Sequence, residues 1–178
     1  MITKKSILGI TLATLVVACS TEQKPTAEET TAAPTVTLPY TPSYSASFEI
    51  GNPEHSVTIL QGSWKDWETN NLDNMKNWAA DSVVAYHSDN SVVIGLENLM
   101  ARWKKGRAEL TSVNVSIDAV VPVYSTDKNE NWVLVWATEI STNADGTIDT
   151  VGVMETWRIN KEGKADLLYQ FDRKNRKE

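Results

Sequence analysis

Residues 147–172 read TIDTVGVMETWRINKEGKADLLYQFD. Valine, isoleucine, threonine, tryptophan, leucine and tyrosine crowd both halves of this stretch, and such residues favour a pleated surface. The polar segment Lys161-Glu162-Gly163-Lys164 divides the two halves. A divide that short joins antiparallel neighbours. The same pattern repeats upstream, where Thr111 to Tyr124 and Trp132 to Ser141 are strand-like and the polar segments Asp127 to Asn131 and Asn143 to Gly146 stand between the runs. The last third of the chain therefore predicts a long, curled antiparallel meander.

The residues before it change period. Asn52-Pro53-Glu54 supplies a capping residue, a proline suited to the first helical position and an acid in the first turn. A helix is expected to start there, with Leu60, Trp64 and Trp67 on one face. Leu72, Met75, Trp78 and Ala79 mark a second, shorter helix. Val83 to His87 and Ser91 to Ile94 read as two short strands joined at Asp89-Asn90. Leu96, Leu99, Met100 and Trp103 then recur at helical spacing up to Gly106. Helices laid on one face of an antiparallel sheet make an α+β domain, expected over residues 51–175, and all seven tryptophans fall inside it.

This order, together with Trp78-Ala79-Ala80-Asp81-Ser82-Val83-Val84-Ala85-Tyr86-His87, the Gly95-Leu96-Glu97-Asn98-Leu99 turn and Glu155-Thr156-Trp157-Arg158-Ile159-Asn160-Lys161-Glu162-Gly163-Lys164, resembles the nuclear transport factor 2 superfamily and its SnoaL-like branch over Pro53 to Asp172. The resemblance implies a cone in which a curved antiparallel sheet wraps around helices and leaves a pocket at the open end. Members include isomerases, cyclases, dehydratases, binding modules and assembly domains, and a fold does not choose among them. In the SnoaL-like cyclases a histidine stands where this chain has Glu155 and an aspartate where it has Gln170. A glutamine cannot titrate, so the cyclase proton chemistry does not transfer directly.

Glu155 remains the leading candidate for acid–base work, because a carboxylate on an apolar strand is desolvated and holds its proton more tightly; the alternative is an outward-facing Glu155 paired with Arg158. Tyr86 and His87 are adjacent on a strand, so one of them faces the pocket. Tyr86 is expected to be that residue, supplying a hydrogen bond, with His87 at an exposed edge. Trp64, Trp103, Trp136, Trp157 and Gln170 complete the expected pocket. If the Trp136 face lines the cone, Glu139 points the other way. No phosphate loop, catalytic serine triad, calcium loop or paired-cysteine motif is visible, and no cofactor or metal is expected.

The N-terminus carries a second reading. Lys4 and Lys5 precede an apolar run from Ile7 to Ala18, about 12 residues where a membrane-spanning helix needs about 20. That is the form of a secretion signal over residues 1–18. Its end, Leu15-Val16-Val17-Ala18-Cys19, resembles the lipobox of bacterial lipoproteins, and Cys19 is the single cysteine. The resemblance implies lipidation at Cys19, a membrane as partner and a place in the cell envelope. Residues 19–50, rich in Thr, Pro, Ala and Ser, read as a flexible tether, although Tyr40, Tyr44 and Phe48 offer anchors for its last part. The formal net charge of −6 becomes more negative once Lys4 and Lys5 are removed, and nucleic acid is an improbable partner for so acidic a chain. Three functions stay open: a small-molecule binding lipoprotein, an isomerase- or cyclase-like enzyme using Glu155 and Tyr86, and a homodimerising interaction module.

Overall fold

A computed structural model describes residues 38–174. The expected signal segment and Cys19 lie outside the described residues. The unit that begins at Tyr40 is compact and holds every element discussed below.

Asn52 caps the first helix, α1 (Pro53–Ile59), by accepting the Glu54 amide on its side chain at 3.0 Å. The helix then widens into a π-helical turn, Leu60–Trp64, before α2 (Lys65–Thr69). Asn70 ends it in the left-handed conformation. A 3-10 turn, Leu72–Asn74, and α3 (Met75–Trp78) form the second short helix. The chain continues directly into β2 (Ala79–Tyr86), so Ala79 is strand rather than helix, and β3 (Val92–Ile94) returns across the Asp89-Asn90 turn. Helix α4 (Leu96–Ala108) buries Leu96, Leu99, Met100 and Trp103, the spacing read from the sequence.

The meander is β4 (Leu110–Ser125), β5 (Glu130–Asn143), β6 (Ile148–Ile159) and β7 (Ala165–Lys174). With β1 (Phe48–Ile50), β2 and β3 they form a seven-stranded sheet of order β1-β4-β5-β6-β7-β2-β3. Two corrections follow. The sheet is mixed, because β2 runs parallel to β7: their connection includes β3, α4 and the first three strands of the meander, long enough for a parallel crossover. Residues 48–50, read as the end of a tether, are an edge strand hydrogen-bonded along Val123–Ser125.

Curvature comes from the ladder. The register slips between Ile117 and Ala119, leaving Asp118 as the extra residue between the Ile117–Ala137 and Ala119–Trp136 pairs, and the Thr138 hydroxyl donates to its carboxylate at 3.2 Å. A bulge bends and twists its strand. On the concave side Val133, Val135, Ala137, Trp157, Ile159 and Leu168 are buried against Ile59, Leu72, Met75, Leu99 and the helix tryptophans. Trp78, Trp103 and Trp157 pack mutually, with centroids 5.6 to 6.3 Å apart, and Trp67 adds an edge to Trp103 at 6.0 Å. This aromatic cluster packs between the helices and the sheet.

Candidate functional site

The wide end stays open. A cavity of about 450 Å³ lies between the π turn, α4 and the concave faces of β5, β6 and β7. The π turn, a feature often found at functional sites, presents Ser63 and Trp64 to the cavity, and α4 contributes Arg102, Trp103 and Lys105.

Along the ladder Val135, Glu155 and Gln170 stand side by side. Glu155 is 3% exposed and faces inward. Its carboxylate accepts from Trp157 Nε1 at 2.8 Å and from Gln170 Nε2 at 3.0 Å. Arg158, the outward alternative, is bound to Asp166 and Glu130 instead. Burial pushes the Glu155 carboxyl up to about 7, against the lowering effect of those two hydrogen bonds. Glu139, two cross-strand rows away, adds a smaller upward push.

Tyr86 is not part of this site. It is 41% exposed on the convex face and stacks on Tyr169 with centroids 5.0 Å apart. The parallel register pairs Tyr86 with Tyr169, which turns the next residue, His87, inward beside Gln170. His87 is 8% exposed and lines the cavity. Its Nδ1 lies 3.1 Å from Gln170 Oε1. An ionised Glu155 can only accept, so Gln170 turns its NH2 towards it and its carbonyl towards His87. In that ionised state Nδ1 carries the imidazole proton and Nε2 is a lone-pair acceptor. Burial holds the imidazole below its ordinary pKa, with the Gln170 hydrogen bond opposing.

His87 Nε2 is buried without a partner, and so is Trp64 Nε1. Both residues line the cavity. Buried polar atoms are nearly always hydrogen-bonded, so these two nitrogens are exceptions, both on side chains of the pocket lining.

The remaining expected residues divide. Trp64, Trp103 and Gln170 line the cavity. Trp157 is fully buried in the aromatic cluster behind it and acts through Glu155. Trp136 lies on the convex face, in a row with Met154 and Phe171, because Val133, Val135 and Ala137 take the core side of β5. That alternation brings Glu139 inward, where it accepts from Trp67 Nε1 at 2.9 Å and burial raises its proton affinity. His87 and Glu139 are thus the site residues that the sequence reading missed. Among the described residues no group of three histidine, cysteine or acidic side chains stands ready to hold a metal ion.

Solved structures share this architecture. A putative SnoaL-like polyketide cyclase from Shewanella denitrificans aligns over 68% of this chain and 92% of its own, with TM-score 0.57 and 11% identity. The fold is the SnoaL-like cone. An epoxide hydrolase of Mycobacterium tuberculosis aligns over 67% of this chain and 84% of its own, with TM-score 0.54 and 12% identity. Another M. tuberculosis protein, solved in complex with estradiol-17β-hemisuccinate, aligns over 66% of this chain and 92% of its own, with TM-score 0.54 and 18% identity. No family model and no curated protein sequence matches the chain.

Proposed function

We propose that the cone binds a small, largely apolar molecule carrying a hydroxyl or carbonyl group, and that lipid on Cys19 holds the protein at a membrane of the cell envelope. The observation that carries the binding reading is the pair of unpartnered buried atoms, Trp64 Nε1 and His87 Nε2, in an aromatic-walled cavity. Pockets of this kind, mostly apolar with a few placed polar groups, are the usual form of small-molecule sites. The steroid ester held by one structural neighbour fits the same pattern. A panel of hydroxylated and keto polycyclic compounds should raise the thermal midpoint and change tryptophan emission, since Trp64, Trp67 and Trp103 line the cavity. Silence across the panel sinks this reading. For the anchor, labelled palmitate should be incorporated by the wild-type chain and lost in Cys19→Ala.

A second reading is favoured by Glu155 and His87 acting together. A carboxyl whose pKa is about 7 and a neutral imidazole one amide away suit proton transfer near neutral pH, in an isomerase- or cyclase-like reaction with His87 in the place first given to Tyr86. Turnover of a β,γ-unsaturated ketone, lost in His87→Gln and kept in Tyr86→Phe, supports catalysis. No turnover by the wild type leaves binding alone.

A further inference from the structure

Three side chains, from β6, β7 and the residue that follows β2, form one hydrogen-bonded line: Glu155 Oε1 accepts from Gln170 Nε2 at 3.0 Å, and Gln170 Oε1 lies 3.1 Å from His87 Nδ1. The line ends at His87 Nε2, which is buried and unpartnered, on a residue that lines the cavity. A primary amide donates from one end and accepts at the other. Placed between a carboxyl group and an imidazole, it forces the two to answer each other.

We propose that Gln170 is a turnable amide through which the proton on Glu155 sets the hydrogen-bonding character of His87. His87 then offers the cavity either an acceptor, which takes only a hydroxyl-bearing neutral guest, or a donor, which takes a carbonyl guest as well. The proposal rests on the small-molecule reading above and names the atom that selects the guest.

The bookkeeping leaves two consistent states. With Glu155 ionised, the Gln170 NH2 faces the carboxylate, the carbonyl faces His87, the imidazole proton sits on Nδ1, and Nε2 accepts. When Glu155 takes a proton from solvent, its hydroxyl needs an acceptor. The amide turns over, its carbonyl accepts from Glu155, and its NH2 donates to a bare Nδ1. His87 releases its Nδ1 proton to solvent and takes one at Nε2, remaining neutral, so the net gain is the one proton on Glu155. Either mixed arrangement sets two donors or two acceptors face to face in a buried place, which native structures avoid. Trp157 Nε1, 2.8 Å from Glu155 Oε2, serves both states because the second carboxyl oxygen accepts in each.

Burial favours the switch near neutral pH, since it raises the Glu155 carboxyl to about 7 while disfavouring the charged imidazole. The other charged groups facing this line are Glu139 from β5, Arg102 and Lys105 from α4, Glu109 just after that helix, and Asp172 from β7, with Asp89 in the β2–β3 turn. Glu139 raises Glu155, and Arg102 and Asp89 act on His87 in opposite directions. Glu139 is hydrogen-bonded to Trp67, Asp172 to Ser88, and Asp89 to Ser91 and Arg102, rather than to the line.

The test is a nitrogen NMR titration of the full chain labelled at histidine, with His55→Gln removing the only other histidine. Nδ1 is expected to be the protonated nitrogen at pH 8.5 and Nε2 at pH 6, with a midpoint near 7. Glu155→Gln should freeze the second state, because its amide NH2 occupies the place of the carboxylic hydroxyl: Nε2 stays protonated throughout. A wild-type tautomer that does not change between pH 6 and 8.5 overturns the relay, and so does a Glu155→Gln variant that switches as the wild type does. The wild-type titration decides by itself if the variant does not fold. Affinities for 4-phenylcyclohexanol and 4-phenylcyclohexanone, neither of which titrates here, supply the second arm. The preference for the alcohol should grow about fivefold from pH 6 to 8.5, the worth of one hydrogen bond. A ratio indifferent to pH overturns the selection of guests. Binding of neither probe with the tautomer change intact upholds the relay and removes the small-molecule reading instead.

Discussion

At the scale of the residue, Glu155 shows how one buried carboxyl makes folding depend on pH. Its folded-state pKa of about 7 lies above the ordinary value of 4.5, so the native protein binds this proton more tightly than the unfolded chain does. The associated stability is complete below the unfolded value and is lost as pH rises through about 7, and a shift of that size corresponds to roughly 3 kcal/mol. Urea denaturation between pH 5 and 8.5 should show wild type losing stability relative to Glu155→Gln on the alkaline side; parallel profiles would refute this. His87 acts in the opposite sense, because its pKa is lowered on folding, so acidification below about 6.5 destabilises wild type relative to His87→Gln. The tryptophans give a second contrast. Trp78 Nε1 donates to buried Asp66 at 3.0 Å, whereas Trp64 Nε1 has no partner. Trp78→Phe leaves Asp66 short of a donor and should cost about 2 kcal/mol or more, while Trp64→Phe removes an unsatisfied group and should change stability by less than about 1 kcal/mol. Equal losses in the two denaturation curves would contradict the assignment of Trp64 as a ligand-facing donor.

At the scale of the element, the legible features were those written in local spacing, and the illegible ones depended on a distant neighbour. Asn52-Pro53, the α4 face and the polar turns of the meander each carry their own signal, and each formed where read. The face of β2 did not. Val84 and Tyr86 are as apolar as Val83 and Ala85, so alternation alone could not say which pair is buried, and the answer came from parallel pairing with β7. The same ambiguity on β5, where Leu134 and Trp136 rival Val133 and Val135, hid Glu139 and misplaced Trp136. Half of the site was therefore readable: Glu155, Gln170, Trp64 and Trp103, but not His87. The π turn was also invisible, although Gly62 is its clue in retrospect. A Cβ at Gly62 would lie 2.5 Å from Trp78 Cγ, closer than carbon atoms approach, so the helix can lie this near to Trp78 only without a side chain there. Gly62→Ala should cost about 3 kcal/mol by overpacking, even though alanine favours helix. A variant at least as stable as wild type in urea would show that helix and tryptophan part easily.

At the scale of the whole molecule, the cone depends on how its long outer strand is finished. Strand β4 is bent by its bulge, and without β1 its outer edge would carry free amide and carbonyl groups, a template for association with other chains. Residues 44–50 cover the C-terminal end of that edge. Phe48–Ile50 pair with Val123–Ser125, Thr126 N donates to Ser47 O at 2.8 Å, and the Ser45 hydroxyl donates to Asp127 at 2.6 Å. Tyr44 sets its ring edge-on to Trp132 with centroids 6.1 Å apart and donates its hydroxyl to Glu130. Gly51 makes the crossing possible, since a Cβ there would lie 2.9 Å from the Val123 carbonyl carbon. A chain started at Gly51, the boundary that composition suggests, should therefore fold less stably than one started at Tyr40. The loss of one edge strand, two hydroxyl contacts and an aromatic pair is worth about 2 kcal/mol after the entropy of releasing the segment is set against it. Trp132, now 7% exposed, should shift its emission to the red in the shorter chain, and light scattering should rise with concentration. Both signs must appear together, because a red shift alone could come from general loosening, whereas association through β4 requires the bare edge. Identical midpoints and scattering for the two chains would mean that the segment rests on the sheet without supporting it.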